Sequence, residues 1–214
     1  MQVNNSVSSK SHVIVYIDGF NLYFGLKTKK WKSFYWLNIQ KLSEKLITSD
    51  QVLISTKYFT SRISQPPDKS KRQSTFIEAL ETLNNVYIYY GHYLSNTKTC
   101  IKCGNVETVL SEKMTDVNIA VEMLTDAFQD KFDVAILISA NSDLSAPVKS
   151  ILHLFPDKKI IAYFPPERFS YQLKELASTS HILGKNKFIG CEFPDEVTKK
   201  DGYILKRPER WITK

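Results

Sequence analysis

Three short, unbroken, largely β-branched runs set the plan of this chain: Val13-Ile14-Val15-Tyr16-Ile17, Val134-Ala135-Ile136-Leu137-Ile138 and Lys159-Ile160-Ile161-Ala162-Tyr163-Phe164. A run of that length without polar alternation is a strand covered on both faces, which means the interior of a parallel sheet. Two further β-rich runs, Val52 to Thr60 and Val86 to Tyr90, read as strands of the same sheet. Helical spacing fills the intervals. Leu42 and Leu46 mark a helix over Ile39 to Ile47; Phe76, Ile77, Leu80 and Leu83 mark one capped by Asp68; and Val117, Ala120, Val121, Leu124 and Phe128 share one face of a helix capped by Thr115 or Ser111. Helices over Leu144 to Phe155 and Ser170 to Ala177, and a short strand at His181-Ile182-Leu183, complete the alternation. The class is α/β, a mostly parallel sheet flanked by helices, in which right-handed crossovers leave ligand sites beyond the carboxyl ends of the strands.

Boundaries follow from where the pattern stops. Residues 1–11 are a polar leader that is expected to be flexible, 12–184 form the domain, and 185–214 are a basic C-terminal tail that either packs over it or stays mobile. Within the domain, 95–108 read as a Cys-containing loop. The 214 residues, 43% of them hydrophobic, suffice for a real core. The longest apolar runs fall far short of the roughly 20 residues that cross a bilayer. With no apolar stretch ahead of a cleavage site near the start, the expectation is a cytoplasmic protein with no membrane partner.

Charge narrows the partners. Lys+Arg 29 against Asp+Glu 22 leaves +7, which favours a polyanion such as nucleic acid, although the same excess also serves solubility. Between Lys27 and Trp36 four lysines interleave with four aromatic rings, either a phosphate-and-stacking surface or a loop whose rings enter the core. Three cysteines are too few for a disulfide scaffold. Cys100 and Cys103 have the spacing of half a Zn²⁺ site; the other half would come from His92 or from the same loop of a second copy in a homodimer, and an unmetallated turn is the alternative.

Chemistry concentrates at two strand ends. Asp18 follows the first strand, with Asn21 three residues on, and Asn141 and Asp143 follow the strand Val134 to Ile138. If those strands are neighbours, the side chains converge on one cleft that Asp116 can join. Carboxylates gathered that closely repel unless a cation compensates, and oxygen ligands point to Mg²⁺ or Mn²⁺. Taken singly, each of these residues is equally a turn former or helix cap. Other chemistries lack their residues. Phe20 stands where a haloacid-dehalogenase-type phosphatase needs its second Asp, no phosphate loop or Gly-x-Gly-x-x-Gly is present, the four histidines form no zinc-enzyme motif, and Ser139 and Ser142 lack a nucleophile elbow.

The segments Tyr16 to Tyr23, Glu112 to Val121 and Ile138 to Leu144, in that order, resemble the bacterial NYN domain of the PIN-like nuclease superfamily. The resemblance implies a Rossmann-like, PIN-like sheet and a Mg²⁺- or Mn²⁺-dependent endoribonuclease acting on RNA. On the family's pattern, Asp18, Asp116 and Asp143 match the catalytic and metal-binding acids. Asn21, Lys113, Asn118 and Ser139 become candidate substrate contacts. One position departs: Asn141 stands where the family usually carries an Asp, which offers the metal a neutral oxygen and removes a charge. The alternative that follows is an RNA-binding module with weak or no catalysis.

Overall fold

Along β1 (Ser11–Asp18), Val13, Val15 and Ile17 enter one hydrophobic layer and Ile14 and Tyr16 the other, all fully or almost fully buried, as a central strand requires. The computed structural model describes residues 10–99 and 101–212. After β1 come α1 (Gly19–Thr28), α2 (Ile39–Leu46), β2 (Gln51–Ser61), α3 (Pro67–Leu80), β3 (Val86–Thr99), β4 (Val106–Lys113) and α4 (Thr115–Phe128). Then follow β5 (Val134–Ile138), α5 (Ser145–Leu154), β6 (Lys159–Phe164), α6 (Tyr171–Leu176), β7 (Thr179–Ile182), α7 (Lys185–Phe188), β8 (Glu196–Thr198) and β9 (Ile204–Lys206). Among the described residues, no helix is long and apolar enough to cross a membrane.

The seven-stranded sheet runs β4-β3-β2-β1-β5-β6-β7, parallel except for β4, with β8 and β9 a separate hairpin. The chain winds outward from β1 in both directions. The reversal of strand order beside β1 leaves a crevice at the carboxyl ends of β1 and β5, the place where open α/β sheets hold ligands. One face is covered by α1, α2, α3 and the segment after β7; the other by α4, α5 and α6.

Three local expectations are corrected. Pro66, not Asp68, precedes α3, and Asp68 lies in its first turn without capping it. The Cys-containing segment continues the β3–β4 pair, registered from His92 opposite Lys113 to Thr99 opposite Val106, instead of forming a loop. In α4 the buried positions are Ile119, Met123 and Ala127, whereas Val117, Val121 and Phe128 are exposed, so the helix presents the face opposite to the one its apolar spacing favoured. The basic segment from Lys185 packs over the domain: Phe188, Phe193, Val197, Leu205 and Trp211 are buried in the same layer as Val15 and Ile17. Between Lys27 and Trp36, the Phe34 and Trp36 rings are likewise buried while all four lysines stay exposed.

Candidate active site

Register brings the two strand ends together. Ile17 lies opposite Ile138 in the parallel β1–β5 pair, so Asp18 and Ser139 are the first residues past the paired segments. The Ser139 hydroxyl donates to one Asp18 carboxylate oxygen at 2.9 Å. The other oxygen accepts from the backbone N–H of Asn21 at 2.9 Å and caps α1. Asp18 is thus both a helix cap and the carboxylate at the floor of the crevice. The next residue is glycine for a steric reason: a Cβ on Gly19 would lie 2.5 Å from Tyr58 Cζ and 2.7 Å from the Phe59 carbonyl oxygen.

The loop after β5 is organised by Asn141. Its N–H donates to Ser139 Oγ at 3.0 Å, and its side-chain oxygen accepts from the Asp143 N–H at 3.1 Å, capping the short 3₁₀ turn Ser142–Leu144. Its side chain also lies near the Asp116 carboxylate and favours its anion. A neutral amide at this position can donate to an acid, which an ionised Asp could not. Asn21 ties the opposite wall, its side-chain oxygen accepting from the Ala140 N–H at 3.2 Å.

Asp116 comes from the first turn of α4. Neither Thr115 nor Ser111 caps that helix: Met114 stands at the cap position in a left-handed conformation (φ 76°) without a side-chain cap. Glu112, at the end of β4, does the work instead. Its carboxylate accepts from the Thr115 N–H at 3.2 Å, from the Thr115 hydroxyl, and from Ser61 Oγ at 3.1 Å. Close packing at this corner needs Gly91, where a Cβ would run into the Lys113 carbonyl and lie 2.6 Å from Ser61 Oγ.

The electrostatics follow from this crowding. Burial raises the Asp18 carboxyl to about 6, against the two hydrogen bonds that favour its anion, and the charges of Asp116 and Glu112 raise it further. Asp116 is also raised, first by burial and then by Glu112 and Asp143, with the Asn141 side chain opposing. Among the described residues, none of these acids forms an ion pair with a Lys or Arg. The donors are all oxygens, a set chemically suited to a hard divalent cation. Among the described residues, no three His, Cys, Asp or Glu side chains come close enough to enclose a metal by themselves.

Asn118 is half-buried and donates to the Tyr90 carbonyl at 3.2 Å, and Lys113 is exposed at the end of β4. Ser139 is fully buried, so it orients Asp18 and does not meet a substrate. Glu112 is the acid that sequence reasoning passed over; its signal was a Glu three residues before Thr115 at the expected helix start. Cys100 lies outside the described residues, Cys103 is exposed in the turn between β3 and β4, and Cys191 is buried.

A mostly parallel α/β sheet flanked by helices, with acids at its switch point, is consistent with a PIN-like α/β fold. The family model described as NYN domain matches residues 12–184, and the chain belongs to that family, within the PIN-like nuclease superfamily, whose function is nuclease-type and related to RNA. Over 237 aligned positions the chain is 24% identical to the 6-hydroxy-3-succinoylpyridine 3-monooxygenase HspA of Pseudomonas putida, covering 92% of this chain and 74% of that one. The fold is similar to the crystal structure of a protein of unknown function from Vibrio parahaemolyticus, with a TM-score of 0.54 and 20% identity over 88% of this chain and 99% of the other.

Proposed function

We propose that the chain is a metal-dependent endoribonuclease that hydrolyses RNA phosphodiester bonds at the crevice between β1 and β5. The observation that carries this reading is the buried Asp18 carboxyl at the carboxyl end of β1, raised by its burial and by the charges of Asp116 and Glu112, with no Lys or Arg paired to it among the described residues. Asp18 and Asp116 would hold Mg²⁺ or Mn²⁺, with Asp143 and the Asn141 oxygen beside them. When bound, such an ion acidifies water and neutralises charge on the phosphate. Ser139 orients Asp18, and Asn141 caps the turn that carries Asp143. Exposed Lys113 offers a cation to a phosphate at the rim. In the net step, water adds to phosphorus, the bond from phosphorus to the departing ribose oxygen breaks, and that oxygen takes up a proton.

A second reading rests on Asn141, a neutral amide near Asp116 where a carboxylate would add a further negative charge. It describes an RNA-binding protein of low turnover. Incubating the chain with labelled RNA is expected to give cleavage that requires Mg²⁺ or Mn²⁺, stops on chelation, and falls at least about a hundredfold in Asp18→Asn and Asp116→Asn, in the range that positioned electrostatic groups contribute. Circular dichroism of both variants should remain that of a folded chain. Cleavage that persists undiminished in Asp18→Asn rejects the site. A large gain of cleavage in Asn141→Asp, at unchanged RNA affinity, selects the second reading.

A further inference from the structure

Beside the acidic centre lies an aromatic cavity of about 440 Å³ that none of the roles above uses. Its volume falls within the roughly 300–1,000 Å³ of small-ligand pockets. At the mouth, Tyr23 and Phe24 are 37% and 41% exposed, and Phe20 stacks against Phe24 at 6.4 Å while meeting Tyr93 edge-on at 6.3 Å. The rings continue inward: Tyr23 to Tyr35 at 5.3 Å, and Tyr35 to Trp211 at 6.0 Å. The cavity adjoins the acidic centre, because Glu112 and Gly19 line it and Tyr58, also in its wall, packs on the backbone just after Asp18. Lys27, Lys69 and Arg72 also line it, and among the described residues none of the three has an acidic partner.

We infer that this cavity receives an unpaired base of a single-stranded RNA, stacked on the rings at its mouth, while Lys27, Lys69 and Arg72 take the neighbouring phosphates and set the strand across the acidic centre. The inference rests on the ribonuclease reading for the identity of the strand. Stacking on the exposed rings at the mouth, which every base can offer a face to, carries the binding, so base tolerance and strict dependence on strandedness follow. A base within a duplex cannot enter, because its faces are already stacked.

Binding is measured by fluorescence anisotropy in chelator, so that turnover does not intervene, with a labelled single-stranded RNA 12-mer, its blunt duplex, and the same strand carrying one abasic position. The single strand should bind at least about tenfold more tightly than the duplex. Phe24→Ala and Tyr23→Ala should each weaken it about fivefold or more, the lower end of the loss when one base stack is removed. The abasic strand should show little further loss on either variant. Phe128→Ala, at an exposed ring at the far end of α4, should leave binding unchanged. Equal affinity for the duplex, or unchanged binding in both mouth variants, overturns the inference. Titration with a free hydroxypyridine separates the other source of a flat ring: saturation that RNA does not compete away assigns the cavity to a small heteroaromatic molecule and overturns the RNA assignment. Pocket-dependent binding without Mg²⁺-dependent cleavage leaves this inference standing and rejects the ribonuclease reading. Cleavage that needs Asp18 but is indifferent to Phe24 does the reverse.

Discussion

At Asp18 two opposing effects meet in one side chain. Hydrogen bonds from Asn21 and Ser139 favour the carboxylate, and burial favours the acid; burial is the larger, and the carboxyl rises from 3.8 to about 6. A group whose folded value is raised binds its proton more tightly in the folded state. Its contribution to stability is therefore most favourable below about pH 4 and is lost as pH rises through 6. Above that window the buried charge costs about 3 kcal/mol relative to the unfolded chain. In chelator, urea unfolding of Asp18→Asn should show a variant more stable than the parent by up to about 3 kcal/mol at pH 7, the difference shrinking towards zero at pH 4. A variant equally stable or weaker at pH 7 would show that the carboxyl is not raised. Asp18, Asn141 and Asp143 were legible because each follows a run that could only be a central strand. Glu112 was passed over, since a Glu three residues before Thr115 gains its role only through the αL turn at Met114, where no Gly or Asn marks the left-handed residue.

The element that carries Asp116 is fixed to the sheet from its far end. Lys57 of β2 reaches Asp126 of α4 at 2.5 Å and Glu122 at 2.6 Å, and the Tyr16 hydroxyl donates to Asp126 at 2.7 Å. Burial alone would push the Lys57 ammonium down, but its hydrogen bonds to the two acids overcome that and raise it. This pair explains why α4 turns Ile119, Met123 and Ala127 inward and leaves Val117 and Val121 outside: the helix is rotated to bring Asp126 over the lysine. Apolar spacing could not reveal that, because a buried ion pair looks like a polar stripe. Likewise the β3–β4 pairing was invisible in a polar stretch of Ser, Asn, Thr and Lys without alternating apolar residues. Asp126 also meets the half-exposed Lys131 at 3.3 Å, so removing Lys57 leaves it only that solvent-facing partner, at a cost of up to about 3–5 kcal/mol, whereas removing both Lys57 and Asp126 costs far less. Lys57→Met should lose stability by that amount in urea unfolding, with amide exchange in α4 accelerated. Lys57→Met combined with Asp126→Leu should recover most of the loss; an equally damaged double variant would mean that the pair is not what holds the helix.

Across the whole molecule, the segment after β7 is part of the domain's interior. Trp36 Nε1 donates to the Pro194 carbonyl at 2.7 Å, Lys45 Nζ donates to the Asn186 and Ile189 carbonyls at 2.9 Å each, and Arg207 donates to the Ser33 carbonyl at 2.7 Å. Its charge pattern reads as a basic tail because Lys185, Lys200, Lys206 and Arg210 face outward, while apolar residues spaced singly along it carry the packing. Phe188, Cys191, Phe193, Val197, Leu205 and Trp211 all lie within 8% exposure in the layer beneath α1 and α2. Burying large apolar side chains is worth about 1.5–3 kcal/mol each, so together they match the whole margin of about 5–15 kcal/mol by which a domain is stable. Trp211 also closes the aromatic cavity, so the same segment that completes the core completes the proposed binding surface. A chain ending at residue 184, the limit of the matched family region, should therefore lose cooperative thermal unfolding and bind a hydrophobic dye at room temperature, and Trp211→Ala alone should cost about 3–5 kcal/mol. If the shortened chain instead melts cooperatively at the parent's temperature, the segment is a passenger on the domain, and the aromatic cavity must be held open by α1 and α3 without it.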